Sequence, residues 1–156
     1  MTPHLLRRGV GPYNKGAEAG RDGESGRGML SGEIQIRVRY AETDRMGLLH
    51  HANYLVYFEQ ARTELLRSRG AAYKDLEDQG FFLVIAKAEV RYKSPAHYDD
   101  VLTIRTTVTR TTPVRIEHKY EVFRDGKLIA EGSTTLACVD REGKLQAMPQ
   151  WLVEAK

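Results

Sequence analysis

The chain is 156 residues long, with 41% hydrophobic and 29% charged residues. That length fits one domain, and the apolar share supports a real core, which excludes a wholly disordered chain. No apolar run approaches the roughly 18–20 residues of a membrane helix, so an integral membrane protein is excluded. The single cysteine, Cys138, excludes an internal disulfide framework and a multi-cysteine zinc site, and it fits a reducing, cytoplasmic compartment.

The net charge of +3 is concentrated at one end. Residues 1–32 hold five basic groups against three acidic ones, a surplus of two, and the remaining 124 residues hold 19 against 18. The body of the chain is therefore near neutral with interspersed signs. A nucleic-acid binder would cluster its basic groups on one face, so that class is excluded.

Eight of the fourteen glycines fall in residues 1–32, between polar residues and without a periodic apolar face. Such a composition buries too little surface to offset its ordering entropy, so residues 1–32 are expected to be a flexible Gly-rich extension. It lacks the apolar stretch of a signal peptide. The folded domain is expected over residues 33–156.

From Glu33 the texture changes. Ile34, Ile36, Val38 and Tyr40 alternate with polar residues, which predicts a half-buried strand. A loop from Glu42 to His51 follows. Tyr54, Tyr57, Phe58, Ala61 and Leu65 then recur at helical spacing, and Gly70 suits the helix C-terminus. Leu55, Val56 and Leu66 widen the apolar face of this helix.

Four more strands are predicted. Ala86 to Lys93, Leu102 to Val108 and Val114 to Val122 each alternate with period two. Asp125-Gly126 is a two-residue hairpin signal, and Leu128 to Val139 is the last strand. The Thr111-Thr112-Pro113 break is too short for a crossover helix, so the last three strands should form an antiparallel meander. One long helix against five strands calls for a curved sheet that wraps it. The opposite sheet face is then expected to stay partly apolar and to need a partner, which argues for a homo-oligomer.

The chemistry concentrates in the segment from Tyr40 to Tyr54, YAETDRMGLLHHANY. A carboxylate, a glycine and two histidines precede a helix whose first amides have no internal partners and can polarise a carbonyl oxygen. Asp44 could act on that carbonyl or on a water beside it, or could serve only as a cap or turn former. Gly47 permits a turn or a close ligand approach. Asn53 is an equally good capping candidate. His50 and His51 are a poor metal pair, because adjacent side chains point different ways and no third ligand is evident. Cys138 lies within a strand and reads as core rather than as a nucleophile.

The run from Asp44 to Tyr54, continued by Phe58-Glu59-Gln60-Ala61-Arg62-Thr63-Glu64, resembles the signature of the hot-dog-fold acyl-CoA thioesterases. It is most similar to the 4-hydroxybenzoyl-CoA thioesterase-like group that includes the Tol-Pal-associated thioesterase. The later stretches Tyr92 to Ala96 and Asp99 to Leu102 resemble that group too, and the likeness spans roughly residues 33–150.

The resemblance implies an α+β hot-dog fold, a five-stranded antiparallel sheet wrapped around one long central helix, in homodimers that commonly pair into homotetramers. It implies hydrolysis of a short-chain or aromatic acyl-CoA to the free acid and coenzyme A, with no metal and no cofactor. Asp44 then matches the catalytic nucleophile or general base. The His51 amide matches the group that polarises the thioester carbonyl, and the His51 side chain helps orient substrate or water. Gly47, His50, Asn53, Tyr54 and Glu59 fall at substrate-binding positions, with His50 standing where related enzymes often carry an aromatic residue. Arg91, Lys93, Arg110 and Arg115 are candidates for the coenzyme A phosphates. The rival readings are a hot-dog hydratase or dehydratase, and a module that binds acyl-CoA or acyl carrier protein without hydrolysing it.

Overall fold

The computed structural model describes residues 29–154. The elements in chain order are β1 (Ser31–Arg37), α1 (Asn53–Arg67), α2 (Tyr73–Asp78), β2 (Phe82–Tyr92), β3 (Val101–Thr111), β4 (Arg115–Arg124), β5 (Lys127–Val139) and α3 (Gln150–Val153). The expected flexible extension falls on residues 1–28, outside the described residues, apart from its last four. Of these, Leu30 is already buried and Ser31 and Gly32 open β1.

The five strands form one antiparallel sheet in the order β1-β3-β4-β5-β2. The last three strands are the expected meander. Asp125 and Gly126 both take positive φ, 49° and 76°, at the turn between β4 and β5, the left-handed pair that a tight hairpin demands. Register shifts interrupt the ladders at Ile85/Lys87, Val108/Arg110 and Val122/Phe123. Each irregularity sharpens the local twist, so the sheet curves around α1.

Alternation places Leu102, Ile104 and Thr106 of β3, Ile116, His118, Tyr120 and Val122 of β4, and Ala130, Thr134, Leu136 and Cys138 of β5 in the core. Two apolar clusters form there. One gathers Tyr54, Tyr57, Phe58 and Ala61 of α1 with Leu102, Ile104, Tyr120 and Val122. The other gathers Leu66, Leu76, Ile116, Cys138, Met148 and Leu152 at the opposite end of the helix. Cys138 is thus core, and burial pushes its thiol pKa up.

The sequence expectations need one correction. Alternation revealed one helix, whereas two short ones, α2 and α3, close the second cluster with Leu76 and Leu152. Six and four residues are too few to display a helical period. The outer sheet face is partly apolar, with Val84, Val101 and Phe123 on it, but a polar row crosses it. Glu33, Arg105, Glu121, Glu131 and Arg91 stand in register across all five strands. Arg105 bonds Glu33 at 2.7 Å, Lys119 reaches Glu121 at 2.9 Å, and Arg91 and Lys93 lie 3.6 and 3.5 Å from Glu131. Further exposed apolar side chains include Ile85 of the edge strand β2 and Leu55 and Val56 of α1.

Candidate active site

The loop between β1 and α1 is a small hairpin. Thr43 bridges Leu49, Asp44 N–H donates to the Leu48 carbonyl at 2.7 Å, and Gly47 N–H donates to the Asp44 carbonyl at 2.9 Å. Gly47 closes the turn with φ +78°, a conformation that a side chain would strain. Asp44 Oδ1 accepts from Met46 N–H at 2.9 Å and Leu48 N–H at 3.1 Å. Asp44 therefore is a turn former, as its residue type allows, but only through one oxygen. Among the described residues its Oδ2 accepts no hydrogen bond, and the side chain is exposed.

The hairpin is fastened to the helix through Glu42. The Glu42 carbonyl accepts from His50 N–H at 2.9 Å and from Asn53 Nδ2 at 2.9 Å. Asn53 thus ties the loop down rather than capping α1 with its side chain. The Glu42 carboxylate is buried and accepts from Arg39 N–H, from the Arg39 guanidinium at 3.0 and 2.8 Å, and from the Tyr57 hydroxyl at 2.5 Å. Burial alone would push its pKa up, yet the bonds from Tyr57 and Arg39 prevail and hold it below the ordinary glutamate value. Burial, and then the Glu42 bond, drives the Tyr57 phenol far above its usual range, so it stays a donor.

At the helix start, Ala52 N–H donates to His50 Nδ1 at 3.2 Å and Asn53 N–H to the His50 carbonyl at 3.0 Å. Just before them, His51 N–H has no acceptor among the described residues. His51 precedes the N-cap, Ala52, so this amide lies in the turn just ahead of α1 rather than in its first turn. The His50 and His51 rings do not diverge as adjacent side chains were expected to; their centroids lie 4.1 Å apart at 31°. Tyr92, at the end of β2, donates its hydroxyl to the His51 carbonyl at 2.9 Å, and the buried Tyr54 ring meets it edge-on at 5.2 Å. Burial, then the neighbouring Tyr92, pushes the Tyr54 phenol pKa up. A groove of about 560 Å³ opens beside Glu42 and Tyr57, with Tyr40, Val56 and Tyr98 on its walls.

The structure thus brings Gly47, His50, His51, Asn53 and Tyr54 to the Asp44 loop. Glu59 is not among them: it is exposed, roughly 9 Å along α1 from Asn53 at 1.5 Å per residue, and pairs with Arg62 at 3.9 Å. The phosphate candidates also divide. Arg91 and Lys93 flank Tyr92 at the loop end of β2, whereas Arg110 and Arg115 flank the β3–β4 turn at the far end of the sheet. Glu42, Tyr57 and Tyr92 are structural partners of the loop that residue patterns did not single out. The Glu42–Tyr57 pair is separated by fifteen positions, and only the fold joins it.

A curved five-stranded antiparallel sheet around one long helix, with an acid-bearing loop at the helix start, is the hot-dog architecture of thioester hydrolases. Residues 38–155 match the thioesterase-like superfamily. The chain is 32% identical over 120 residues to the acyl-CoA thioester hydrolase YbgC of Escherichia coli, covering 76% of this chain and 90% of that protein. It is 33% identical over 106 residues to the acyl-CoA thioesterase YbgC of Haemophilus influenzae, covering 67% and 78%. Among solved structures, the DHNA-CoA thioesterase of Staphylococcus aureus superposes with a TM-score of 0.76 at 34% identity, covering 79% of this chain and 84% of that one. The chain belongs to the thioesterase-like superfamily, with a hot-dog fold and thioester hydrolase activity. Among the described residues, no helix is long and apolar enough to cross a membrane.

Proposed function

We propose that the chain hydrolyses a short-chain or aromatic acyl-CoA, releasing the carboxylic acid and free coenzyme A, with Asp44 as the catalytic carboxylate. The observation that carries this is the division of labour within Asp44: Oδ1 holds the turn and Oδ2 stays open. A carboxylate fixed by one oxygen presents the other in a defined direction, as a base toward water or as a nucleophile toward the thioester carbon. The uncommitted His51 N–H is the donor that stabilises the oxyanion formed on the carbonyl oxygen. The aromatic choice is supported by the DHNA-CoA substrate named for the Staphylococcus aureus relative.

The working unit we propose is a homodimer, able to pair into a tetramer in a cytoplasmic setting. Among the described residues, strand β2 pairs with β5 on one side only, leaving an eleven-residue edge that carries exposed Val84 and Ile85. An edge of that length with apolar side chains is ordinarily covered, and a second copy supplies an identical one. A panel of acyl-CoA thioesters, followed by release of free thiol, tests the function. Turnover of at least one aromatic or short-chain thioester is expected; failure across the panel by folded protein would refute the proposal. Light scattering tests the assembly, and a monomer at micromolar concentration would refute it.

A further inference from the structure

A second cavity, of about 400 Å³, lies at the other end of α1. That volume falls within the range of small-ligand pockets, about 300–1,000 Å³. Its walls come from α1, α2, α3, the start of β2 and the far ends of β3 and β4, and Leu65, Leu83, Val108 and Ile116 make them apolar. It is separate from the Asp44 loop. Arg62 to Leu66 lie roughly 14–20 Å along the helix from Asn53, and the stacked rings of Phe58 and Tyr120, 4.2 Å apart and fully buried, fill the space between.

The cavity has one polar corner. Arg62 is 9% exposed; its guanidinium meets the Tyr73 and Tyr120 hydroxyls, and the nearest carboxylate it pairs with, on the mostly exposed Glu59, stands at 3.9 Å, too far for a hydrogen bond. His118 is 4% exposed, and among the described residues its buried Nδ1 has no hydrogen-bond partner. Burial, and then the Arg62 charge, pushes the His118 pKa down to about 4, so the ring is neutral at pH 7. Tyr73 completes the corner with a phenol that burial pushes up to about 12, the Arg62 guanidinium opposing. Arg69 and Asp75 also line the cavity, so it holds two guanidiniums against one carboxylate.

A buried guanidinium whose hydrogen-bond partners are neutral phenols lacks a close countercharge, and an orphaned ring nitrogen is costly to leave unsatisfied. An anionic headgroup would satisfy both, and a planar guanidinium suits a carboxylate in particular. The surrounding apolar walls suit a hydrocarbon body. We propose that this cavity is a second ligand site, for a monocarboxylic acid with a compact apolar body, its carboxylate held by Arg62 with His118 and Tyr73 beside it.

Octanoate is the probe, titrated calorimetrically into the full chain with octanol and octylamine as charge controls. Octanoate is expected to bind at least about tenfold more tightly than either, the effect of one charge-assisted hydrogen bond. Arg62→Gln should weaken octanoate by about tenfold or more, while Arg62→Lys, which keeps the charge, should retain most of the affinity. Val108→Trp, which fills the cavity, should abolish binding and leave thioester hydrolysis within about twofold, since it lies far from Asp44. Equal affinity for octanoate and octanol, or octanoate binding that survives Val108→Trp, would overturn the proposal; the second result would place the acid at the Asp44 site instead.

Discussion

The Tyr57 hydroxyl donates a 2.5 Å hydrogen bond to Oε2 of Glu42, joining the second turn of α1 to the residue that anchors the Asp44 loop. Because the Glu42 backbone also receives His50 N–H and Asn53 Nδ2, the carboxylate fixes the helix start through its own main chain. Glu42 is thus a positioning residue. Glu42→Gln removes the anionic acceptor of four donors and should cost about 1.5–3 kcal/mol, as hydrogen bonds to charged groups do. Tyr57→Phe should cost a similar amount. A double-mutant cycle on chemical denaturation is expected to show strong non-additivity, since each change disables the same bond. Additive effects would separate the two residues.

Phe58 lies flat on Tyr120 because Gly132, on the facing strand, has no side chain. A Cβ at position 132 would sit 2.4 Å from Phe58 Cε2 and 2.6 Å from the Glu89 carbonyl oxygen. Gly132→Ala should therefore destabilise by about 3 kcal/mol, the upper end for overpacking. Phe58→Leu in the same chain should restore only part of that, because the contact with the Glu89 backbone remains. Full restoration would show that the ring alone forbids a side chain.

His118 makes stability depend on pH in a defined window. Its ordinary value is 6.5 and the folded ring is pushed down to about 4 by burial and by Arg62. Above pH 6.5 both states are neutral there. As pH falls, the unfolded chain takes the proton first, so stability is lost progressively between about 6.5 and 4, by about 2–3 kcal/mol at pH 4.5. Glu42, held low in the folded state, adds its own loss only further into acid. Denaturant unfolding at pH 7 and pH 4.5 measures the slope, which His118→Gln should flatten. An unchanged slope in that variant would assign the dependence to other groups.

Residues 1–28 carry no periodic apolar face. A chain starting at Met29 is expected to keep its melting temperature and its rate. A large fall in either would make the first residues part of the core or of the site.

The strands and α1 were legible because their apolar residues keep one period for many residues: Ile116, His118, Tyr120 and Val122 face inward as alternation requires. The boundary of β2 was not. Phe82 to Ile85 is a continuous apolar run, and an edge strand exposed on both faces leaves no alternation to read there. At the site, adjacency in sequence exposed Asp44, Gly47 and His51, since one loop carries all three. Arg39, Tyr57 and Tyr92 stayed hidden because their bonds to that loop depend on how α1 and β2 are packed.

If Asp44 performs the chemistry, the Asp44→Asn variant must lose turnover while staying folded. Asn keeps an Oδ1 for the Met46 and Leu48 amides, so the turn and the melting temperature should be nearly unchanged. The open oxygen loses its charge and basicity. Measured on one preparation, kcat should fall by about 10²–10⁴-fold while the protein stays folded. A folded Asp44→Asn protein with near-normal turnover would contradict the assignment and leave Asp44 as a turn former only.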